Sequence, residues 1–105
     1  MHKGVDFAAP LGTPVYATGD GVVKSAGRRG GYGNMVTLRH AAGLATRYAH
    51  LSRFADGVRP GASVTRGAII GYVGSTGYST GPHLHYEVLR QGVAVNPLSS
   101  EIARK

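Results

Sequence analysis

Cysteine and tryptophan are both absent from this chain, and its acidic residues number five against twelve lysines and arginines. Without thiols there is neither a disulfide framework nor a thiolate-bound metal, so any metal must be held by imidazole and carboxylate donors. The scarcity of acids leaves a formal net charge of +7, which suits an anionic partner: an acidic polymer, a lipid surface or a nucleic acid. The basic residues are scattered from Lys3 to Lys105, with no helix-turn-helix or RNP-like pattern, which argues against a nucleic-acid reader. No run of 18 apolar residues is long enough to cross a bilayer as a helix. Uninterrupted helical periodicity is missing too, because 17 glycines and five prolines divide the 105 residues into short pieces. What is left is one mainly β domain, residues 1–105, with short strands between tight turns. Met1 stands directly before a chemically capable residue, His2, and a functional residue at a fraying terminus points to a piece of a longer protein.

The strongest strand signals lie in two places. The segment 34–51, NMVTLRHAAGLATRYAHL, reads as a hairpin: strands at about 34–40 and 44–51 around Ala41-Ala42-Gly43, with Gly43 able to take a positive φ. Strict alternation puts Leu44, Thr46, Tyr48 and His50 on one face of its second strand, and Ala45, Arg47, Ala49 and Leu51 on the other. The segment GPHLHYEV, residues 81–88, sets His83, His85 and Glu87 on one face and Leu84, Tyr86 and Val88 on the other. The two imidazoles emerge side by side, as a metal site needs. Glu87 is then available to orient an imidazole as a hydrogen-bond acceptor. His40, at the end of the first hairpin strand, reads as a structural histidine.

Other candidate ligands stand at the opposite end of the chain, His2 and Asp6 in H-K-G-V-D. Gly4, Val5 and Pro10 disfavour a helix there. A catalytic zinc takes three protein ligands and keeps a fourth position open; His2, Asp6 and one of His83 and His85 would complete that set. No H-E-x-x-H helix supplies a glutamate base, so histidines, which titrate near neutrality, must do that work.

The ordered stretches H-x-G-x-D (2–6), TRYAHLS (46–52) and GSTGYSTGPHLHYEV (74–88) resemble the lysostaphin/LytM-type zinc peptidases. DFAAPLGTPVYATGDGVV, GGYGN and VNP support the match, which runs from His2 to about Pro97. The resemblance implies Zn2+ bound by His2, Asp6 and His85, with His50 and His83 as catalytic histidines that do not bind the metal. It places Asn34 along the substrate groove, where Tyr78, in the loop before His83, is a second candidate. It also implies a mainly β fold, an antiparallel sheet of barrel-sandwich character (a duplicated hybrid motif) with a groove walled by loops and little helix. The expected activity is cleavage of peptide cross-links in bacterial peptidoglycan, at D-alanyl bonds to a diamino acid or at glycyl-glycine bonds. A monomeric domain in a periplasmic or extracellular, secreted or membrane-anchored parent follows from the resemblance, with a regulatory N-terminal region as one further element. Two rivals stand beside it: a non-catalytic relative that activates a cell-wall amidase, and a carrier domain bearing phosphohistidine or lipoyl-lysine.

Overall fold

A computed structural model describes residues 4–95. They form nine strands in one strongly curled antiparallel sheet: β1 (Val5–Ala8), β2 (Pro14–Tyr16), β3 (Gly21–Arg28), β4 (Asn34–Arg39), β5 (Leu44–Phe54), β6 (Ser63–Val64), β7 (Ile69–Val73), β8 (His83–Arg90) and β9 (Val93–Val95). The only helical pieces among the described residues are two single 3-10 turns, Gly30–Tyr32 and Ala41–Gly43. The main path runs β1-β8-β5-β4-β3-β6, while β2 and β7 form a flap joined to β5, and β9 pairs with β8. The expected mainly β, antiparallel fold is what the chain adopts.

The hairpin of β4 and β5 forms around Ala41-Ala42-Gly43, where Ala42 and Gly43 both take positive φ, 62° and 74°. β5 runs on to Phe54, three residues past the expected end, because its outer edge changes partner midway. Residues 44–49 pair with β8, and residues 51–54 pair with β7. His50 sits at the changeover with φ of 63°, and the registers of β5 with both β4 and β7 shift around it.

That irregularity overturns the alternation read from sequence. Tyr48 lies opposite Tyr86 and Ala49 opposite His85, so strict alternation would send His50 to the Tyr48 side. The left-handed residue turns the strand over. His50 joins the His83 and His85 side instead, its ring centroid 4.7 Å from that of His83 and 6.0 Å from that of His85. Leu51 takes the opposite side and is fully buried with Val36, Leu38, Tyr48, Ile70 and Val73 in the core. Side chains from β2, β3, β4, β5 and β7 meet there, so the curl of the sheet is held by apolar burial on its concave face.

Candidate active site

Four elements supply the site. β1 lies antiparallel to β8 with Asp6 directly opposite His85 and Ala8 opposite His83, which brings the two ends of the chain together. Gly4 permits this approach: a Cβ there would collide with the Tyr86 carbonyl and lie 2.9 Å from Glu87 Cγ and 3.0 Å from His85 Cε1. His83, at the first position of β8, is bridged to Gly74 just beyond β7, and His50 enters from the break in β5. His2 lies outside the described residues.

Hydrogen bonds fix the ring of each histidine. His50 donates Nδ1–H to the Thr76 carbonyl at 2.7 Å, which leaves Nε2 with a free lone pair. His83 donates Nδ1–H to the Gly81 carbonyl at 2.9 Å and likewise keeps Nε2 bare, 3.5 Å from Asp6 Oδ1. Burial lowers the pKa of His50 and favours its neutral form, with the neighbouring imidazoles acting in the same direction against the Thr76 hydrogen bond and the Asp6 charge.

His85 is arranged the other way round. Its Nε2 lies 2.9 Å from Glu87 Oε2 and its Nδ1 lies 2.8 Å from Asp6 Oδ1. Burial alone would lower its pKa, but the hydrogen bonds to Asp6 and Glu87 outweigh burial and raise it. Both partners are acceptors, so Nδ1–H faces Asp6 Oδ1 and Nε2–H faces Glu87 Oε2; loss of the Nδ1 proton would leave two lone pairs that a cation can join. A zinc ion with bonds of about 2 Å holds neighbouring donors roughly 3.3 Å apart in a tetrahedron, so a small opening of this pair suits the metal. Among the described residues Asp6 and His85 contribute two such donors, and no third carboxylate or imidazole completes a cage there. The residues present therefore fit a zinc ligand set whose remaining expected member is His2.

The groove over this cluster has a volume of about 310 Å³ and is lined by Gly31, Tyr32, His50, Tyr78 and His85. Its two loops are pinned to each other. Tyr78 N–H donates to the Gly31 carbonyl at 2.7 Å, and Asn34 N–H donates to Thr76 Oγ1 at 3.0 Å. Tyr78 stands at the rim, 92% exposed. Asn34 stands behind the wall: its amide nitrogen donates to the Leu51 and Ser52 carbonyls at 3.0 and 3.4 Å, so it clamps the stretch of β5 that follows His50. Gly33 and Gly77 approach backbone to backbone, both at positive φ, and a Cβ on Gly77 would overlap Gly33. Gly77→Ala should therefore cost at least about 1–2 kcal/mol through its backbone conformation alone. It should also displace Thr76 from His50. Urea unfolding together with turnover measures both effects, and wild-type values for both would show that the loop tolerates the methyl.

Glu87 lies inside the fold. It is 1% exposed and bound by His85, Tyr32 and Arg47. The GGYGN stretch marked this region without giving Tyr32 a role; it packs 6.1 Å from the His85 ring and donates to Glu87 Oε2 at 3.0 Å. Burial, then its bond to Glu87, raises the pKa of this phenol.

His40 is remote from the groove, as its strand position suggested. Its Nδ1 meets the Asp20 carbonyl and its Nε2 the Thr46 hydroxyl, both at 2.7 Å; Thr46 is hydrogen-bonded in turn to Tyr48 at 2.8 Å. His40→Ala should leave turnover per folded molecule unchanged while lowering stability by about 0.5–1.5 kcal/mol through the lost hydrogen bond to buried Thr46, which keeps Tyr48 as a partner. A denaturant melt run beside an activity assay reads the two apart.

Cross-strand pairing of an aspartate with the second histidine of H-x-H, and two further imidazoles with bare Nε2 atoms at one groove, define the arrangement of a metallopeptidase. The profile of peptidase family M23 matches residues 1–97, and the chain belongs to that family. It is 57% identical over 99 residues to the DD-carboxypeptidase/endopeptidase Mpg of Neisseria meningitidis, covering 94% of this chain and 22% of that protein. It is 48% identical over 101 residues to the peptidoglycan DD-endopeptidase ShyA of Vibrio cholerae, covering 96% and 23%. The chain thus spans under a quarter of the length of these curated relatives. Its fold superposes on a zinc-containing peptidase from Vibrio cholerae with a TM-score of 0.89 at 42% identity, covering 94% of this chain and 30% of the other. Against the catalytic domain of lysostaphin from Staphylococcus simulans the TM-score is 0.85 at 41% identity, covering 93% and 77%.

Proposed function

We propose that the chain is the peptidase domain of a zinc-dependent endopeptidase that hydrolyses peptide cross-links of bacterial peptidoglycan, with D-alanyl bonds to a diamino acid as the preferred substrate over glycyl-glycine bonds. The observation that carries this reading is the gathering of the His50 and His83 rings, with centroids 4.7 Å apart, beside the Asp6 and His85 donor pair. Asp6, His85 and His2 would hold the metal. When bound, zinc polarises the scissile carbonyl and makes water a stronger acid near neutral pH.

The remaining chemistry falls to the chain's own histidines. One of His50 and His83 takes the proton of the attacking water on Nε2. The other donates from Nε2 to the oxyanion or to the departing amine once Nε2 has taken up a proton, so that the imidazolium and not the bare ring is the donor. Thr76 and Gly81, by occupying the Nδ1 protons, hold both rings ready for these exchanges. Tyr78 at the rim is within reach of a bound peptide, and Asn34 acts on the groove through the backbone it clamps. Naming of the relatives for peptidoglycan supports the substrate class, and it supports a place in the cell envelope, periplasmic or extracellular. The net charge of +7 complements an anionic wall polymer.

Mass spectrometry of products released from peptidoglycan of defined cross-link chemistry tests the reading. The expected products are cross-linked stems cut at the D-alanyl bond, together with one zinc per chain. Intact muropeptides after prolonged digestion by the zinc-loaded protein would favour the amidase-activator rival instead.

A further inference from the structure

We propose that Glu87 is a positioning residue for the metal, one that holds His85 in the tautomer with its proton on Nε2 and its Nδ1 lone pair free for zinc. The inference rests on the zinc reading above. Among the described residues Glu87 is the most deeply buried charged side chain, and a buried carboxylate is costly unless its oxygens are well matched.

Its neighbours divide between the two oxygens. Oε1 accepts from Arg47 Nη1 at 3.2 Å. Oε2 accepts from the Tyr32 hydroxyl at 3.0 Å and lies 2.9 Å from His85 Nε2. A carboxylate that served only as a partner for Arg47 would have no need of Oε2. With donors from Arg47 and Tyr32 around it, Glu87 presents only an acceptor to the imidazole. A hydrogen of His85 therefore stays on Nε2, and the nitrogen able to exchange its proton for a metal is Nδ1, which faces Asp6 Oδ1 at 2.8 Å.

This tautomer is the reverse of that in His50 and His83, whose Nδ1–H groups go to backbone carbonyls. Three imidazoles in one groove are thus sorted by three acceptors. The ring whose Nδ1 faces a carboxylate instead of a backbone carbonyl is the one opposite Asp6 in the strand pairing. Gly4 adds to the device, since the space its missing Cβ leaves is filled by Glu87 Cγ and His85 Cε1. The glycine of H-x-G-x-D lets β1 close over the positioning pair.

Glu87→Gln tests the assignment in the zinc-loaded full chain. A glutamine offers one acceptor and one donor: if its oxygen keeps Arg47, its amide nitrogen faces His85 and favours the wrong tautomer. Zinc affinity, measured by competition with a chelator, should fall about 10–100-fold. The imidazole 15N spectrum should lose the Nε2–H, metallated-Nδ1 pattern of His85, with the unfolding midpoint close to wild type. A folded Glu87→Gln protein with wild-type zinc affinity and an unchanged His85 spectrum would overturn the inference while leaving the zinc reading standing. Wild-type protein that takes up no zinc would overturn both. If the variant does not fold, the wild-type spectrum decides: Nε2–H with Nδ1 metallated supports the assignment, and Nδ1–H with Nε2 metallated sinks it.

Discussion

Alanine at His50 or at His83 lowers peptidoglycan digestion by about 10²–10⁴-fold, the usual share of a general acid or base, and leaves zinc at one ion per chain. The prediction follows from where each ring spends its protons. Both use Nδ1–H to grip a backbone carbonyl, Thr76 in one case and Gly81 in the other; His50 lines the groove and His83 Nε2 lies 3.5 Å from Asp6 Oδ1, and neither belongs to the expected ligand set. His50 is 7% exposed, so its removal also leaves a small cavity, and thermal unfolding should accompany the assay to separate misfolding from lost chemistry. Because the two imidazoles act in one step, the double variant should lose little more than the worse single one. Loss of zinc from either single variant would reassign that histidine to the metal.

Asp6→Ala gives the complementary result: zinc is lost, digestion stops, and the fold persists. The Asp6 side chain is 66% exposed, and a substitution at so open a position ordinarily moves stability by less than about 0.5 kcal/mol. Its effect on metal should exceed the roughly 10–100-fold that loss of an outer partner costs, since a donor atom itself disappears. Metal analysis after dialysis, with urea unfolding as the control, reads both. Treating the wild-type chain with a chelator should reproduce the inactivity, and added zinc should restore the wild type but not Asp6→Ala. Retention of stoichiometric zinc by Asp6→Ala would remove the aspartate from the ligand set and break the resemblance at its first motif.

How far the site could be read in advance varied with how local each residue's geometry is. The H-x-H strand needed only the two-residue period of an extended chain, and β8 presents His83 and His85 on one side as that period demands. His40 was equally local, at a strand end beside a turn. His50 was not. Its residue type and its motif marked it, yet counting alternate positions put it on the wrong face. A single left-handed residue at the point where β5 exchanges β8 for β7 cannot be deduced from periodicity. Asn34 carried a similar ambiguity: a polar residue beside a glycine-rich loop can face substrate or brace backbone, and only the position of the Leu51 and Ser52 carbonyls shows that its amide braces.

From the amino-acid order alone came the absence of thiol chemistry, the short-strand architecture, the basic surface and the family pattern of histidines and aspartate. All of these depend on composition or on contacts between near neighbours in the chain. The pairing of β1 with β8 across almost the whole sequence, the reversal at His50 and the burial of Glu87 between Tyr32 and Arg47 were decided by the tertiary structure. They arise where strands far apart in sequence compete for the same edge or the same cavity, and that competition is settled by packing and by the need of buried polar groups for partners.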